Sequence, residues 1–104
     1  MPTLRIKTLT CYQTEDDRQD DAYLKVGDQT VWGPKKVTGG QDVAVDAEVA
    51  FDGSARVELH EKDRFSADDH MGTHTVQADE AGQGERRARF HYGTARYQMT
   101  YEVV

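Results

Sequence analysis

Hydrophobic residues in this chain recur at every second position, and no stretch of eleven or more residues carries a helical 3.6-residue stripe. Between Gln41 and Phe51, Val43, Val45, Ala47, Val49 and Phe51 alternate with Asp42, Ala44, Asp46, Glu48 and Ala50. At the end of the chain, Tyr97, Met99, Tyr101 and Val103 alternate with Gln98, Thr100 and Glu102. Successive side chains of a strand point to opposite faces, so both segments read as strands with one buried face in an antiparallel sheet. Six further runs are expected as strands: Leu4–Gln13, Ala22–Val26, Thr30–Trp32, Arg56–Glu61, Thr73–Ala78 and Arg86–Tyr92. Turn residues separate them, among them Gly27-Asp28, Gly33-Pro34, Gly39-Gly40, Asp52-Gly53 and Gly82-Gln83-Gly84. Eight short strands with turns every eight to twelve residues imply an all-β sandwich or barrel, in one domain over residues 1–104.

Composition narrows the function classes. With 37% hydrophobic and 31% charged residues the chain can build a compact core of modest size. Its 19 acids against 13 Lys and Arg give a net charge of −6, which argues against nucleic acid as a partner, because that role needs a dense basic surface. The apolar runs are no longer than three residues, as in Val49-Ala50-Phe51, so no transmembrane segment is expected. Thr3-Leu4-Arg5-Ile6-Lys7 offers no apolar stretch of the kind a Sec signal needs. The expected location is the cytoplasm or a membrane periphery, with export by a route other than Sec still open. Cys11 stands alone, so no intramolecular disulfide can form and the fold rests on packing or on a bound ion.

The acids are unevenly spread. Glu15, Asp16, Asp17, Asp20 and Asp21 crowd one inter-strand segment, and Glu61, Asp63, Asp68 and Asp69 crowd another. Carboxylates held close together repel one another unless a cation neutralises them. Calcium suits such a set, since it takes six to eight oxygen ligands in irregular geometry from separate loops, whereas magnesium keeps more water. The spacing is not that of an EF-hand.

The segment Val57-Glu58-Leu59-His60-Glu61-Lys62-Asp63-Arg64-Phe65-Ser66-Ala67-Asp68-Asp69-His70-Met71-Gly72 resembles the third calcium loop of C2 domains. Asp21-Ala22-Tyr23-Leu24-Lys25-Val26, with Glu15 six residues before it, resembles the strand and acid of that family's first loop. The resemblance implies an eight-stranded antiparallel β-sandwich, C2-like, with Ca²⁺ held at one end by Glu15, Asp21, Glu61, Asp63 and Asp69. It further implies lesser oxygens from the backbone carbonyls of Asp16 and Lys62 and from Ser66. It makes Arg64 and Phe65 a loop tip that meets a membrane or protein partner. Two of the implied ligands are Glu where the family usually has Asp, and Trp32-Gly33-Pro34-Lys35-Lys36 and Gly39-Gly40-Gln41-Asp42 replace its usual Asn-Pro-x-Trp-Asn-Glu. A strand opening at Leu4 and one closing at Val103 suggest the circular arrangement in which the first-loop strand begins the domain.

The remaining candidates are weaker. Phe65 could instead fold back onto its own loop. Arg86, Arg87, Arg89 and Arg96, with Lys35 and Lys36, could form an anion-binding face, though such residues more often line a solvated strand. His70 and His74 are four apart, a zinc spacing only on a helix, and His60 and His91 read as ordinary surface histidines. Ser54, Ser66 and Cys11 lack the setting of a nucleophile, so no enzymatic activity is expected. The sequence therefore points to a calcium-binding C2-like module that meets an anionic phospholipid surface or a protein in a calcium-dependent way. The alternative is a non-enzymatic structural or interaction subunit whose ion only stabilises the fold.

Overall fold

The computed structural model describes residues 1–104 and contains eight strands. These are β1 (Thr3–Gln13), β2 (Asp20–Val26), β3 (Gln29–Val37), β4 (Gln41–Ala50), β5 (Ser54–Glu61), β6 (Asp69–Gln77), β7 (Arg86–Tyr92) and β8 (Ala95–Val103). One 3₁₀ turn, Ala78–Glu80, follows β6. The strands form two antiparallel four-stranded sheets, ordered β4-β1-β8-β7 and β3-β2-β5-β6. The expected all-β antiparallel sandwich is what the chain forms. The first and last strands are neighbours, with Leu4 opposite Val103 and Ile6 opposite Tyr101. β1 runs straight into the first acidic loop, as the circular arrangement requires.

The core lies between the sheets and takes the inward residues of each alternating run. Leu4, Ile6, Leu9 and Cys11 of β1 meet Tyr97, Met99, Tyr101 and Val103 of β8, while the opposite sheet contributes Leu24, Val57, Leu59, Met71 and Val76. Tyr101 is buried, and its hydroxyl donates to Glu80 Oε1 at 2.7 Å. Glu80 Oε2 accepts the Gln77 N–H at 2.7 Å, which closes the turn after β6.

Strand boundaries depart from the sequence reading where glycine or proline interrupts the pattern. β3 passes through Gly33-Pro34 to Val37 because it is an edge strand, where proline's missing N–H costs no sheet bond. β6 begins four residues before Thr73, at Asp69, and takes Gly72 into its ladder opposite Leu59. A Cβ on Gly72 would stand 2.8 Å from Cδ1 of the buried Phe90, so glycine is needed where β6 approaches β7.

Candidate functional site

The antiparallel ladders bring both acidic loops to one end of the sandwich. β1 ends at Gln13 and β2 starts at Asp20, so residues 14–19 bridge the two sheets. Ala22 lies opposite Glu61, which in turn lies opposite Asp69, so the loop of residues 62–68 emerges beside the first. The β7–β8 hairpin joins them, where the Thr94 hydroxyl donates to the Thr14 carbonyl at 2.8 Å.

Asp20 holds the first loop in shape. It is fully buried, sharing the inward phase of Ala22 and Leu24, and its carboxylate accepts three hydrogen bonds. The donors are the N–H groups of Glu15 and Asp16, each at 3.0 Å, and the Tyr97 hydroxyl at 2.5 Å. Burial, then the bond to Asp20, drives the Tyr97 phenol far above its ordinary range, so Tyr97 remains a donor throughout. Burial likewise raises the Cys11 thiol beside it.

Above this anchor the ligand oxygens of Glu15, Asp16, Asp20 and Glu61 all lie within 4.8 Å of one another. Glu61 is only 4% exposed. Desolvation, followed by its contacts with Asp16 and Glu15 and the charge of Asp20, pushes its carboxyl up to about 10. For Glu15, the hydrogen bond from Glu61 acts downward, but desolvation and the nearby Asp16 and Asp69 outweigh it and the carboxyl stands above its ordinary value. The four carboxyl groups carry oxygen donors only, in a setting where a negative charge is costly. That donor chemistry fits a hard divalent cation.

The expected ligands therefore divide. Glu15 and Glu61 fall into the four-residue group together with Asp16, while Asp21, Asp63 and Asp69 do not. Asp21 and Asp63 instead line an adjoining recess of about 350 Å³ with Lys62 and Arg64. Asp69 reaches the group through its charge on Glu15. The Asp16 carbonyl already accepts the Thr14 hydroxyl at 2.5 Å, and the Lys62 N–H donates to the Asp21 carbonyl at 2.8 Å. Asp63 Oδ1 accepts the Phe65 N–H at 2.9 Å, which with a hydrogen bond from Ser66 holds the Asp63 carboxyl low. Asp68 ties the loop to the sheet, accepting the Asp63 N–H at 2.9 Å and the Tyr23 hydroxyl at 2.5 Å. The Phe65 ring does not fold back: the residue is 92% exposed.

The basic residues separate between the sheets, and His60 has close neighbours. Arg87, Arg89 and Arg96 share the sheet of β7 and β8, but Lys35 and Lys36 lie on β3 in the other sheet, so the six basic residues form no common face. His60 is no isolated surface histidine. Its Nε2 lies 2.8 Å from Glu58 Oε1, and its ring stacks on both Tyr23 and His70.

No family model matches the sequence, and no curated protein matches it either. Solved structures do match in fold. A structure described as that of a C2 domain superposes with a TM-score of 0.63 at 19% identity, covering 99% of this chain and 98% of the other. A C2 domain of plant Extended Synaptotagmin 1 gives 0.56 at 6% identity, covering 98% of this chain and 90% of that domain. Human GIVD cytosolic phospholipase A2, in complex with methyl gamma-linolenyl fluorophosphonate and terbium chloride, gives 0.60 at 13% identity. That match covers 99% of this chain but 17% of the phospholipase, falling on its C2 domain and not on its catalytic part. The chain thus has the C2 fold, with both acidic loops at one end of it.

Proposed function

We propose that this C2-like sandwich is a non-enzymatic module that binds calcium at its acidic end and, once loaded, docks on an anionic phospholipid surface. The observation that carries the reading is Glu61, a buried carboxyl packed against Glu15, Asp16 and Asp20 at the meeting of the two loops. Burial, and after it the crowding by Asp16, Glu15 and Asp20, drives this group to hold its proton, and a divalent cation offsets both by supplying positive charge there. Glu15, Glu61, Asp21, Asp63 and Asp69 supply the side-chain ligands. Asp20 keeps the Glu15 and Asp16 backbone in position and adds its own oxygen to the inner group. The recess between Asp21 and Asp63 gives a second ion room beside the first. Two ions would add four positive charges to a chain at −6, turning the local field toward phosphate headgroups.

Titration calorimetry on chelator-stripped protein tests this, with magnesium as the control and thermal melts alongside. Calcium-selective heat and a raised melting temperature are expected, because an ion that binds the native state stabilises it. The double variant Asp63→Ala, Asp69→Ala should lose most of that heat and keep the fold, since Asp63 is exposed and Asp69 only half-buried. Parent protein without calcium heat would overturn the reading. Vesicle binding that ignores calcium would favour the other role, an interaction subunit whose ion serves only stability.

A further inference from the structure

We propose that Glu58, His60 and His70, on the outer face of the β3-β2-β5-β6 sheet, form a binding site for a transition-metal dication of the zinc, copper or nickel class. Their ligand atoms all lie within 4.8 Å of one another. The backbone explains the convergence. Glu58 and His60 are two apart on β5 and so point to one face, and His70 stands opposite His60 at the start of β6, where the register slips after Leu59. Three side chains from two paired strands thus meet over one patch of sheet, which fixes the spacing more firmly than a loop could.

The surrounding groups orient each ligand. Arg56 Nε holds Glu58 Oε2 at 2.9 Å, and Glu58 Oε1 accepts from His60 Nε2 at 2.8 Å, a hydrogen bond whose proton a metal would displace. The His60 ring lies between two near-parallel neighbours, Tyr23 at 5.1 Å and 12° and His70 at 4.8 Å and 17°, so it has little freedom to swing away. Tyr23 is pinned in turn by Asp68. His70 Nε2 lies 2.7 Å from the Thr73 hydroxyl and 3.1 Å from the Gly72 carbonyl, which hold the ring in place. A His70 tautomer that donates from Nε2 to these oxygens keeps the Nδ1 lone pair for a metal.

Two imidazole nitrogens and one carboxylate oxygen are a poor set for calcium and a good one for zinc, copper or nickel. Three protein ligands leave a further coordination position for water or for a donor from a partner. The site is separate from the acidic end, because His60 and Glu61 are consecutive on β5 and face opposite sides of the sheet. Its existence does not depend on whether the acidic end binds calcium.

Zinc titrated into protein held in excess calcium tests the assignment, followed by calorimetry and by the histidine ring signals in NMR. One saturable zinc equivalent should bind and shift the His60 and His70 resonances while leaving those of His74 and His91 in place. His70→Asn, at an exposed position, and Glu58→Gln should each weaken zinc binding roughly tenfold or more. His91→Asn, at an exposed position on the other sheet, should leave it unchanged. Failure of the parent to bind zinc would overturn the proposal. So would parent-like zinc affinity in folded His70→Asn and Glu58→Gln.

Discussion

With its carboxyl pushed up to about 10, Glu61 should hold a proton at neutral pH in the ion-free protein, one that calcium bound as proposed would have to displace. Calcium binding should therefore release close to one proton, and its affinity should rise with pH across the neutral range. Calorimetry in buffers of different ionisation enthalpy measures the proton directly, and a heat that is the same in all of them would refute the coupling. The same group sets a stability trend of definite sign. An unfolded glutamate titrates near its ordinary value of 4.5, so between there and about 10 the native state binds more protons than the unfolded state. Stability of the ion-free protein should fall as pH rises through that interval, and Glu61→Gln, which mimics the protonated side chain, should flatten the fall. Melts of both proteins from pH 5 to pH 9 without calcium would show it. The crowding of Glu15, Asp16 and Asp20 is legible in the sequence, where they lie close together, but it is the β2–β5 pairing, with Ala22 opposite Glu61, that brings Glu61 to them. The burial of Asp20 is less legible, since one of two consecutive acids must face inward and acidity does not say which. The signal lies in phase: Asp20 keeps step with the buried Ala22 and Leu24, whereas Asp21 keeps step with Tyr23 and Lys25.

Among the elements, alternation and turn residues together find all eight strands, and the boundaries go wrong where a residue is read by its usual local role. Gly33-Pro34 has the composition of a turn, yet it lies within an edge strand that runs to Val37. Met71-Gly72 has the composition of a loop end, yet the glycine is paired within β6 and admits the Phe90 ring from β7. Such roles are set across the sandwich, by residues far away in sequence, and no local pattern reports them. The triad of Glu58, His60 and His70 is hidden for the same reason, because only the β5–β6 register brings His70 to its partners. The Gly72 contact predicts a measurable cost. Gly72→Ala would place a methyl group 2.8 Å from a ring carbon of Phe90, which is 1% exposed and has nowhere to retreat. Overpacking of this kind costs about 1–3 kcal/mol, so the urea midpoint should drop while the slope of the transition stays the same. An unchanged midpoint would mean that β6 and β7 are not packed so closely.

For the whole molecule, the balance is between a net charge of −6, which repels an anionic surface, and one end of the sandwich where charge and an apolar group can work together. Calcium at that end would invert the local field, and the tip beside it presents Arg64 and an almost fully exposed Phe65. The two contributions differ in their response to salt: headgroup attraction is screened, whereas burial of a phenyl ring is not. Phe65→Ser separates them cleanly, because it is the Phe65 backbone N–H, not the ring, that bonds Asp63. Calcium titration of this variant should match the parent. Its affinity for phosphatidylserine vesicles in calcium should fall by roughly ten- to a hundredfold, corresponding to about 1.5–3 kcal/mol for a fully buried phenylalanine. Raising sodium chloride from about 0.1 to 0.5 M, where the screening length becomes much shorter than 10 Å, should weaken both proteins further. The parent should keep the larger residual binding, held by the inserted ring. If Phe65→Ser instead binds vesicles as tightly as the parent, the loop tip does not enter the bilayer, and a headgroup contact elsewhere on the sandwich must carry the attachment.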